Sequence, residues 1–460
     1  MDTHSRIPRH RAIGLLGLGL MLSVSARSGQ AVALRGFSVF DPVEKKMLTD
    51  RTIVVREGTI ESVAEGRTKI PRGARVIDGK KKFLVPGLID AHVHLVHQTD
   101  SAHMTPEEVL PWHLAYGVTS LRDTGDEIVA EKMTQRFAEA HPESSPRVFL
   151  CSPLIDGDPP FHRDIGRALT DPAKVPEFLE DMKGWGVTTL KIYVKTDRDV
   201  GRRVVDLGRQ MGFVVTAHLG RYQAQDAVPD GIDVLEHIWS VFNYSLPNDP
   251  ADKRSNLERR ASADLTSPKA VALRDLLKRH GTTVNPTLAV FRNMILLNDL
   301  PEIHGHADNS PTPKRLLGHW DAYRARSALK PETLDLRRRE FRKYQELTGL
   351  LHSAGIPLLA GTDTPEPYVP PGAALHQELE MLVESGLTPA DALQAATWNN
   401  SRALKQEKTL GRIAPGYAAD LLILGANPLD DIRNTRRIER VMVRGRVLDP
   451  AVLLKLVPKQ

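Results

Sequence analysis

Between residues 86 and 403, short apolar runs alternate with stretches of helical periodicity. This alternation restricts the chain to a fold of parallel strands joined by crossover helices. The apolar runs lie near Leu88, Val118, Val148, Thr189, Val214, Val234, Val284 and Leu358. Eight such units close into a barrel. We therefore predict the α/β class, with a TIM-like (β/α)8 barrel over residues 86–403.

Two β-rich segments flank the predicted barrel, over residues 34–85 and 404–455. Both consist of short alternating strands separated by Gly and Asp turns, and we expect them to pair into one small, discontinuous β-sandwich domain. A chain of 460 residues is long enough for both parts. Within the barrel, residues 242–268 and 290–334 predict long loops, which either build a substrate pocket or decorate the surface.

The N-terminus carries arginines ahead of the short apolar run AIGLLGLGLMLSVSA, which is followed by small residues. This pattern is typical of a secretory signal peptide. We predict that residues 1–26 are removed, with cleavage after Ala33 as the alternative. Because the apolar run is too short for a comfortable bilayer span, we expect export to the periplasm or the medium, without a stable membrane anchor.

The net charge of +5 is small for this length and the basic residues are scattered, which argues against a nucleic-acid partner. The single cysteine, Cys151, cannot form an internal disulfide, and its apolar surroundings predict a small core residue. The sequence leaves open whether copies of the chain form a homo-oligomer.

Two histidines, His92 and His94, close the first apolar run, LVPGLIDAHVHL. In a strand, residues i and i+2 point to the same side, so both imidazoles face one way, as two ligands of one metal must. His304 and His306 have the same spacing but lie in a polar Pro/Asn/Ser stretch, so we interpret them as solvated.

Four later runs also end in, or contain, groups that can bind a divalent cation. They are VTTLKIYV with Lys191, GFVVTAHLG with His218, GIDVLEHIWS with His237 and IPLLAGTDTP with Asp363. A free ammonium is costly to desolvate within an apolar strand, so Lys191 is either paired, chemically modified, or extended to water from the strand end.

The order His-x-His, Lys, His, His, Asp on successive strands resembles the metal-dependent amidohydrolase superfamily. The segments VPGLIDAHVHL, GVTSLRDTG and LGRIAPGYAADLLIL fit the same family, and the likeness spans nearly the whole mature chain. Within the superfamily, the chain is similar to the binuclear members with a carboxylated lysine, among the imidazolonepropionase-related and prolidase-like dipeptidase proteins.

This resemblance implies a ligand set and a mechanism. His92, His94 and Asp363 would hold the more buried of two divalent ions, Zn²⁺ or alternatively Mn²⁺, and His218 and His237 would hold the other. A carbon dioxide-derived carbamate on Lys191 would bridge the two ions. Two close cations supply nucleophile and electrophile together, and Asp363 would act as general base and then as general acid.

Five further residues are candidates for substrate binding. Arg221 could pair with a substrate carboxylate or lie in a solvent-exposed loop. Tyr193 and Tyr222 follow ligand-bearing strands, and Trp239 could line an apolar pocket. His162 could polarise a carbonyl or lie on the surface.

We therefore predict an enzyme that hydrolyses an amide bond of a small molecule or peptide, as a dipeptidase or an N-acyl amino acid hydrolase. One alternative is a mononuclear hydrolase of a cyclic amide, similar to imidazolonepropionase, in which Lys191 is unmodified. Another is a non-catalytic barrel that serves as a scaffold or binding protein.

Overall fold

The computed structural model describes residues 30–97, 104–246, 252–297, 308, 311–326 and 329–458. The predicted signal peptide, residues 1–26, and the pair His304 and His306 lie outside these residues. In the described part of the chain, every helix is too short or too polar to cross a bilayer.

The strands in chain order are β1 (Val32–Asp41), β2 (Lys46–Arg56), β3 (Thr59–Glu65), β4 (Arg75–Asp78), β5 (Phe83–Pro86), β6 (Leu88–Val93), β7 (Val118–Asp123), β8 (Arg147–Phe149), β9 (Leu154–Asp156), β10 (Gly166–Ala168), β11 (Thr189–Ile192), β12 (Val214–Ala217), β13 (Val234–Glu236), β14 (Thr283–Asn285), β15 (Leu421–Leu424), β16 (Ile438–Val443) and β17 (Arg446–Leu448).

The α-helices are Pro106–Ala115, Ile128–Ala140, Val175–Trp185, Arg198–Gln210, Ala224–Asp230, Ile238–Ser245, Asn256–Ala261, Pro268–His280, Leu288–Leu296, Lys314–Arg326, Pro331–Ser353, Ala373–Glu384, Pro389–Gln394, Asn400–Ala403 and Pro450–Leu453. A π-helical turn, Ala395–Asn399, lies between Pro389–Gln394 and Asn400–Ala403. The hydroxyl of Thr388 accepts a hydrogen bond from the Asp391 amide and caps the helix Pro389–Gln394.

The N- and C-terminal segments form one mixed sheet of order β17-β16-β15-β5-β1-β2-β3, with β4 paired to β1. The two segments meet where β15 runs antiparallel to β5, with Leu422 opposite Val85. Alternate side chains such as Leu34, Ile53 and Leu421 pack into a core that belongs to this sheet. The arrangement of this sheet into two sandwich layers stays a prediction.

The central region contains two parallel sheets, β6-β7-β8 and β10-β9-β11-β12-β13-β14. Seven of the eight predicted strand positions lie within these strands, and Leu358 forms an isolated parallel bridge with Val284. Further parallel bridges join Cys151 to Thr189 and Val93 to Thr364. The region is therefore α/β with parallel strands, and Cys151 is a buried, free core thiol as predicted.

Strands β9 and β10 were not predicted from the sequence. They pair with each other in parallel, and Ile155 of β9 lies opposite Ile192 of β11. The segment between them carries Phe161 and His162 and contains a cis Asp158–Pro159 bond. Asp156 holds this segment, because its carboxylate accepts hydrogen bonds from the backbone amides of Phe161 and Lys195.

Candidate active site

The carboxyl ends of the parallel strands surround a cavity of about 620 Å³. Its lining includes the six predicted metal ligands, His92, His94, Lys191, His218, His237 and Asp363. The four histidines and Lys191 belong to strands or directly follow their carboxyl ends, where parallel strands of this class place their functional groups. Asp363 follows the segment in which Leu358 forms an isolated parallel bridge with Val284. The structure therefore brings all six side chains to one place.

Asp363 is at the centre of the group. Its Oδ1 lies 3.3 Å from Nε2 of His92 and 3.3 Å from Nε2 of His94, and its Oδ2 lies 3.8 Å from Nδ1 of His237. The rings of His237 and His218 have centroids 4.6 Å apart. His237 and Asp363 adopt positive φ angles of 63° and 64°, a conformation that residues with a Cβ seldom take outside functional sites.

Burial and mutual charge perturb these groups. Burial would raise the pKa of Asp363, but His92 and His237 hold it well below its usual range. Burial and the charge of Lys191 lower the pKa of His218 to about 3. Burial opposes protonation of His94, yet its hydrogen bond to Asp363 and the charge of Asp126 raise its pKa to about 9. The cluster therefore contains an ionised Asp363 carboxylate, a protonated His94 and a neutral His218 imidazole.

Lys191 is 1% exposed and lies in the middle of the parallel sheet, in β11. Burial lowers the pKa of its ammonium, and the charges of Glu236 and Asp363 oppose this effect. Loss of a proton leaves a neutral amine, which is the form of lysine that can act as a nucleophile.

The donor set fits a divalent cation. One donor atom each from His92, His237 and Asp363 lies within 4.8 Å of the others. The Nε2 of His92 is buried and makes no hydrogen bond, although buried polar atoms normally have a partner. Imidazole nitrogens and a carboxylate are also the ligands that Zn²⁺ prefers.

Glu236, which sequence reasoning missed, orients His92 from behind. Its Oε2 lies 2.8 Å from Nδ1 of His92 and accepts a hydrogen bond of 2.8 Å from Asn285. Arg122 and Thr216 donate to its Oε1. A carboxylate at Nδ1 keeps the proton on that nitrogen and leaves Nε2 free to bind a metal. The sequence feature that could have indicated this role is the presence of a charged residue inside the apolar run GIDVLEHIWS.

A second group of possible ligands consists of His94, Asp123 and Asp126, with one donor atom of each within 4.8 Å of the others. These carboxylates also accept backbone hydrogen bonds, Asp123 from Leu95 and Asp126 from Val96. They therefore hold the backbone that follows His94. The sequence RDTGD supplies both carboxylates, but no local pattern indicated which backbone amides they would contact.

Three of the five predicted substrate residues line the cavity: His162, Tyr193 and Trp239. The Nε2 of His162 lies 3.1 Å from the hydroxyl oxygen of Tyr193. The Tyr193 ring in turn lies edge-on to His218, with centroids 5.1 Å apart. These side chains form a polar group beside the ligand cluster.

The prediction that Tyr222 binds substrate is wrong, and for Arg221 the structure favours the alternative of a solvent-exposed loop, since neither residue lines the cavity. Tyr222 is fully buried, and its hydroxyl donates to Asp230 outside the cavity. Arg221 points to solvent and lies 3.4 Å from Asp197. The chain turns away from the cavity after His218, so proximity in sequence did not become proximity in space.

Other lining residues were not predicted individually: Phe161, Arg163 and Glu366 lie on loops, and Val290, Phe291 and Met294 lie on the helix Leu288–Leu296. The prediction of a long loop over 290–334 is therefore wrong at its start, which is helical, but this start does line the pocket. Burial and the charge of Asp363 raise the pKa of Glu366 to about 7.

Comparisons with known proteins agree with this geometry. The imidazolonepropionase of Geobacillus kaustophilus is 25% identical over 432 residues, which cover 86% of this chain and 90% of that protein. The ochratoxinase of Aspergillus niger is 39% identical over 82 residues, 17% of this chain, and the match spans only 16% of that protein's length. A solved Xaa-Pro dipeptidase with bound methionine in the active site has a TM-score of 0.67 at 18% identity, covering 91% of this chain and 100% of that chain, and so shares the fold.

The Amidohydrolase family model matches residues 83–448, a stretch that contains every predicted metal ligand and both parallel sheets. The membership predicted from the sequence motifs is thereby confirmed, and the protein belongs to the Amidohydrolase family.

Proposed function

We propose that the protein is a binuclear metal-dependent hydrolase that cleaves an amide bond in a dipeptide or an N-acyl amino acid. The observation that carries this proposal is the convergence of His92, His94, Lys191, His218, His237 and Asp363 on one cavity. Membership of a family of hydrolases and the fold shared with a dipeptidase support it.

We also propose that the two parallel sheets close into an eight-stranded barrel. Three isolated parallel bridges support closure. The bridge from Cys151 to Thr189 links the end of β8 to β11. The bridges from Val284 to Leu358 and from Val93 to Thr364 link β14 to the segment 358–364 and that segment to β6. A barrel places all its βα loops at one end, which is where the cavity lies.

In this proposal, His92, His94 and Asp363 hold one divalent cation, and His218 and His237 hold the other. The ions would be Zn²⁺ or Mn²⁺. When bound, two such cations lower the pKa of a water molecule and polarise the scissile carbonyl. Asp363 enters the reaction as a carboxylate, because His92 and His237 hold its pKa low.

Asp363 would take up the proton that the attacking water loses and deliver it to the departing amine nitrogen. His162 and the Tyr193 hydroxyl stand beside the ligand cluster and offer hydrogen bonds to the substrate carbonyl. The apolar wall formed by Trp239 and Phe291 would exclude bulk water during the reaction.

Lys191 would bridge the cations as a carbamate. The neutral amine attacks carbon dioxide and one proton leaves, so that a carbamate anion replaces an ammonium cation. Burial favours this change, because it lowers the pKa of Lys191 and makes an unpaired ammonium costly. A carbamate between two cations is neutralised by them.

The second candidate is a mononuclear hydrolase of a cyclic amide. The observation in its favour is the likeness to an imidazolonepropionase over 86% of this chain. The number of metal ions per chain separates the two, since only the binuclear enzyme needs Lys191 as a ligand. A non-catalytic barrel is disfavoured, because relatives of that kind typically lose ligands and this chain retains all six.

The first prediction tests this function. Zinc- or manganese-loaded protein should hydrolyse members of a dipeptide and N-acyl amino acid library and contain two ions per chain by mass spectrometry of metals. Lys191→Ala should retain one ion and lose most activity, with partial rescue by added formate or acetate. Lys183→Ala, at an exposed position of the helix Val175–Trp185, is the matched control.

Two outcomes would contradict this proposal. Full activity of Lys191→Ala would exclude the bridging carbamate. Absence of turnover for every amide, together with tight binding of a partner protein, would favour the scaffold.

We further propose that the mature protein is exported after removal of residues 1–26, or of residues 1–33. The basic start, the apolar run and the small residues that follow support this. Mass spectrometry of the protein from the periplasm or medium would give its N-terminus, and an intact Met1 would contradict the proposal.

A further inference from the structure

Three charged side chains on the cavity wall, those of Arg163, Asp164 and Glu366, have no part in the chemistry proposed above. Arg163 is exposed in the segment between β9 and β10, and Glu366 is half-buried three residues after Asp363. No ion pair within 4 Å joins Arg163 or Glu366 to another described residue, although the charge of His94 acts on Glu366. Their opposite charges therefore face the space that a substrate would occupy.

We propose that the cavity recognises a dipeptide as its zwitterion, with Glu366 binding the α-ammonium group and Arg163 binding the α-carboxylate. This inference rests on the proposed function and deepens it, because it selects a dipeptide over an N-acyl amino acid.

Glu366 is well placed to bind a cation. Its backbone amide donates to the carbonyl of Asp363 at 3.1 Å, which ties its position to the ligand cluster. Burial makes its carboxylate costly to ionise, and the cavity wall that it shares with Pro365 and Met294 is partly apolar. An unpaired carboxylate is costly in such surroundings, and a substrate ammonium group would remove that cost.

Arg163 has the complementary role. Its guanidinium can bind a carboxylate through two parallel hydrogen bonds. The segment that carries it is held on both sides, because Asp156 accepts from the Phe161 amide at 2.6 Å and the Gly166 amide donates to the His162 carbonyl at 2.9 Å. Arg163 therefore lies on an ordered rim and needs only a side-chain adjustment to bind substrate.

The rest of the wall indicates the side chains of the dipeptide. Phe161, Trp239, Phe291 and Met294 are apolar and line the same cavity. Aromatic and methionine side chains favour apolar ligands. An N-acyl amino acid would bury Glu366 beside an uncharged group, whereas a dipeptide with an apolar C-terminal residue satisfies both charges and the apolar surface.

The second prediction tests this with isosteric substrates. Glycyl-phenylalanine and N-propionyl-phenylalanine differ only in the ammonium group, and glycyl-phenylalaninamide lacks the carboxylate. For the metal-loaded wild type, we expect kcat/KM to be roughly 10- to 100-fold higher for glycyl-phenylalanine than for either analogue, the range for hydrogen bonds to charged groups.

The variants assign each charge. Glu366→Gln should abolish the preference for the ammonium and keep the preference for the carboxylate, and Arg163→Gln should do the reverse. Glu180→Gln and Arg167→Gln remove the same charges from exposed positions outside the cavity and are the matched controls. The inference would be overturned if Glu366→Gln kept the wild-type preference for glycyl-phenylalanine over N-propionyl-phenylalanine. A wild type that prefers N-propionyl-phenylalanine would also overturn it.

A binding measurement separates this inference from the proposed function. Calorimetry with a ketomethylene analogue of glycyl-phenylalanine, which cannot be cleaved, should show affinity that falls when its ammonium is replaced by methyl. Equal affinity would overturn the inference even in an active enzyme. Ammonium-dependent binding without hydrolysis of any amide would support the inference while the proposed function fails.

Discussion

At the scale of single residues, the site depends on groups that hold ligands in place. Glu236 is the strongest example, because it contacts His92, Asn285, Arg122 and Thr216 with its two oxygens. Burial would raise the pKa of Glu236, but Arg122 and His92 hold it well below its usual range. The carboxylate is therefore charged, and it favours the His92 tautomer that leaves Nε2 unprotonated.

The third prediction concerns this carboxylate. Glu236→Gln should lower metal affinity by roughly 10- to 100-fold. A glutamine amide has one accepting oxygen and one donating nitrogen, so it cannot accept hydrogen bonds from His92 on one atom and from Arg122 on the other. Competition titration with a chromophoric chelator measures the change. Thr216→Val removes a neutral donor to the same group and should have a smaller effect. Wild-type affinity in Glu236→Gln would show that His92 is oriented by other contacts.

At the scale of elements, Asn400 joins the last helix of the central region to two strand segments. Its Nδ2 donates to the carbonyls of Ile89 and Ala360 at 2.6 and 2.8 Å, and its Oδ1 accepts from the Ala360 amide at 3.2 Å. The Ala91 amide also donates to the Ala360 carbonyl. One buried side chain thus connects β6, which carries His92, to the segment that leads to Asp363.

The fourth prediction follows from these bonds. Asn400→Leu should lower the free energy of unfolding by about 2–4 kcal/mol, because buried backbone groups lose their partners. Urea unfolding followed by circular dichroism measures this. Asn399→Leu removes a single bond, to the Leu358 carbonyl, and should cost about 1 kcal/mol. Equal losses in the two variants would contradict a special role for Asn400.

At the scale of the whole molecule, buried histidines make stability depend on pH. Burial lowers the pKa of His113 to about 3, and burial together with Arg436 lowers the pKa of His376 to about 3. An unfolded histidine titrates near 6.5. Below that pH the unfolded chain binds protons that the folded protein excludes, so stability is complete above pH 6.5 and declines as pH falls towards 3.

The fifth prediction uses this linkage. Between pH 6.5 and pH 5, each such histidine should reduce the free energy of unfolding by about 1.5 kcal/mol. His113→Leu should therefore lose less stability over this interval than wild type, by about that amount. Urea titrations at each pH measure it, with the exposed His280→Leu as the matched control. The same decline in His113→Leu and wild type would rule out the contribution of His113.

Sequence patterns predicted the strand positions better than the short irregular elements. An apolar run such as the one at Val214 is recognisable by itself, whereas β9 and β10 are three residues each and depend on pairing, β9 with β11 and β10 with β9. The error at Tyr222 has a similar origin. Its ring packs against Gly201, where an added Cβ would approach within 2.5 Å of the ring, and no local pattern specifies that distant contact.

By itself, the sequence determined the alternation of strands and helices, the order of the ligand-bearing residues and the family, because periodicity and motif spacing are local properties of the chain. Only the tertiary structure decided that Glu236 meets His92 across 144 residues and that Glu366 and Arg163 face one cavity. These contacts depend on how strands and loops pack around a shared core, and the residues near each position carry no information about that packing.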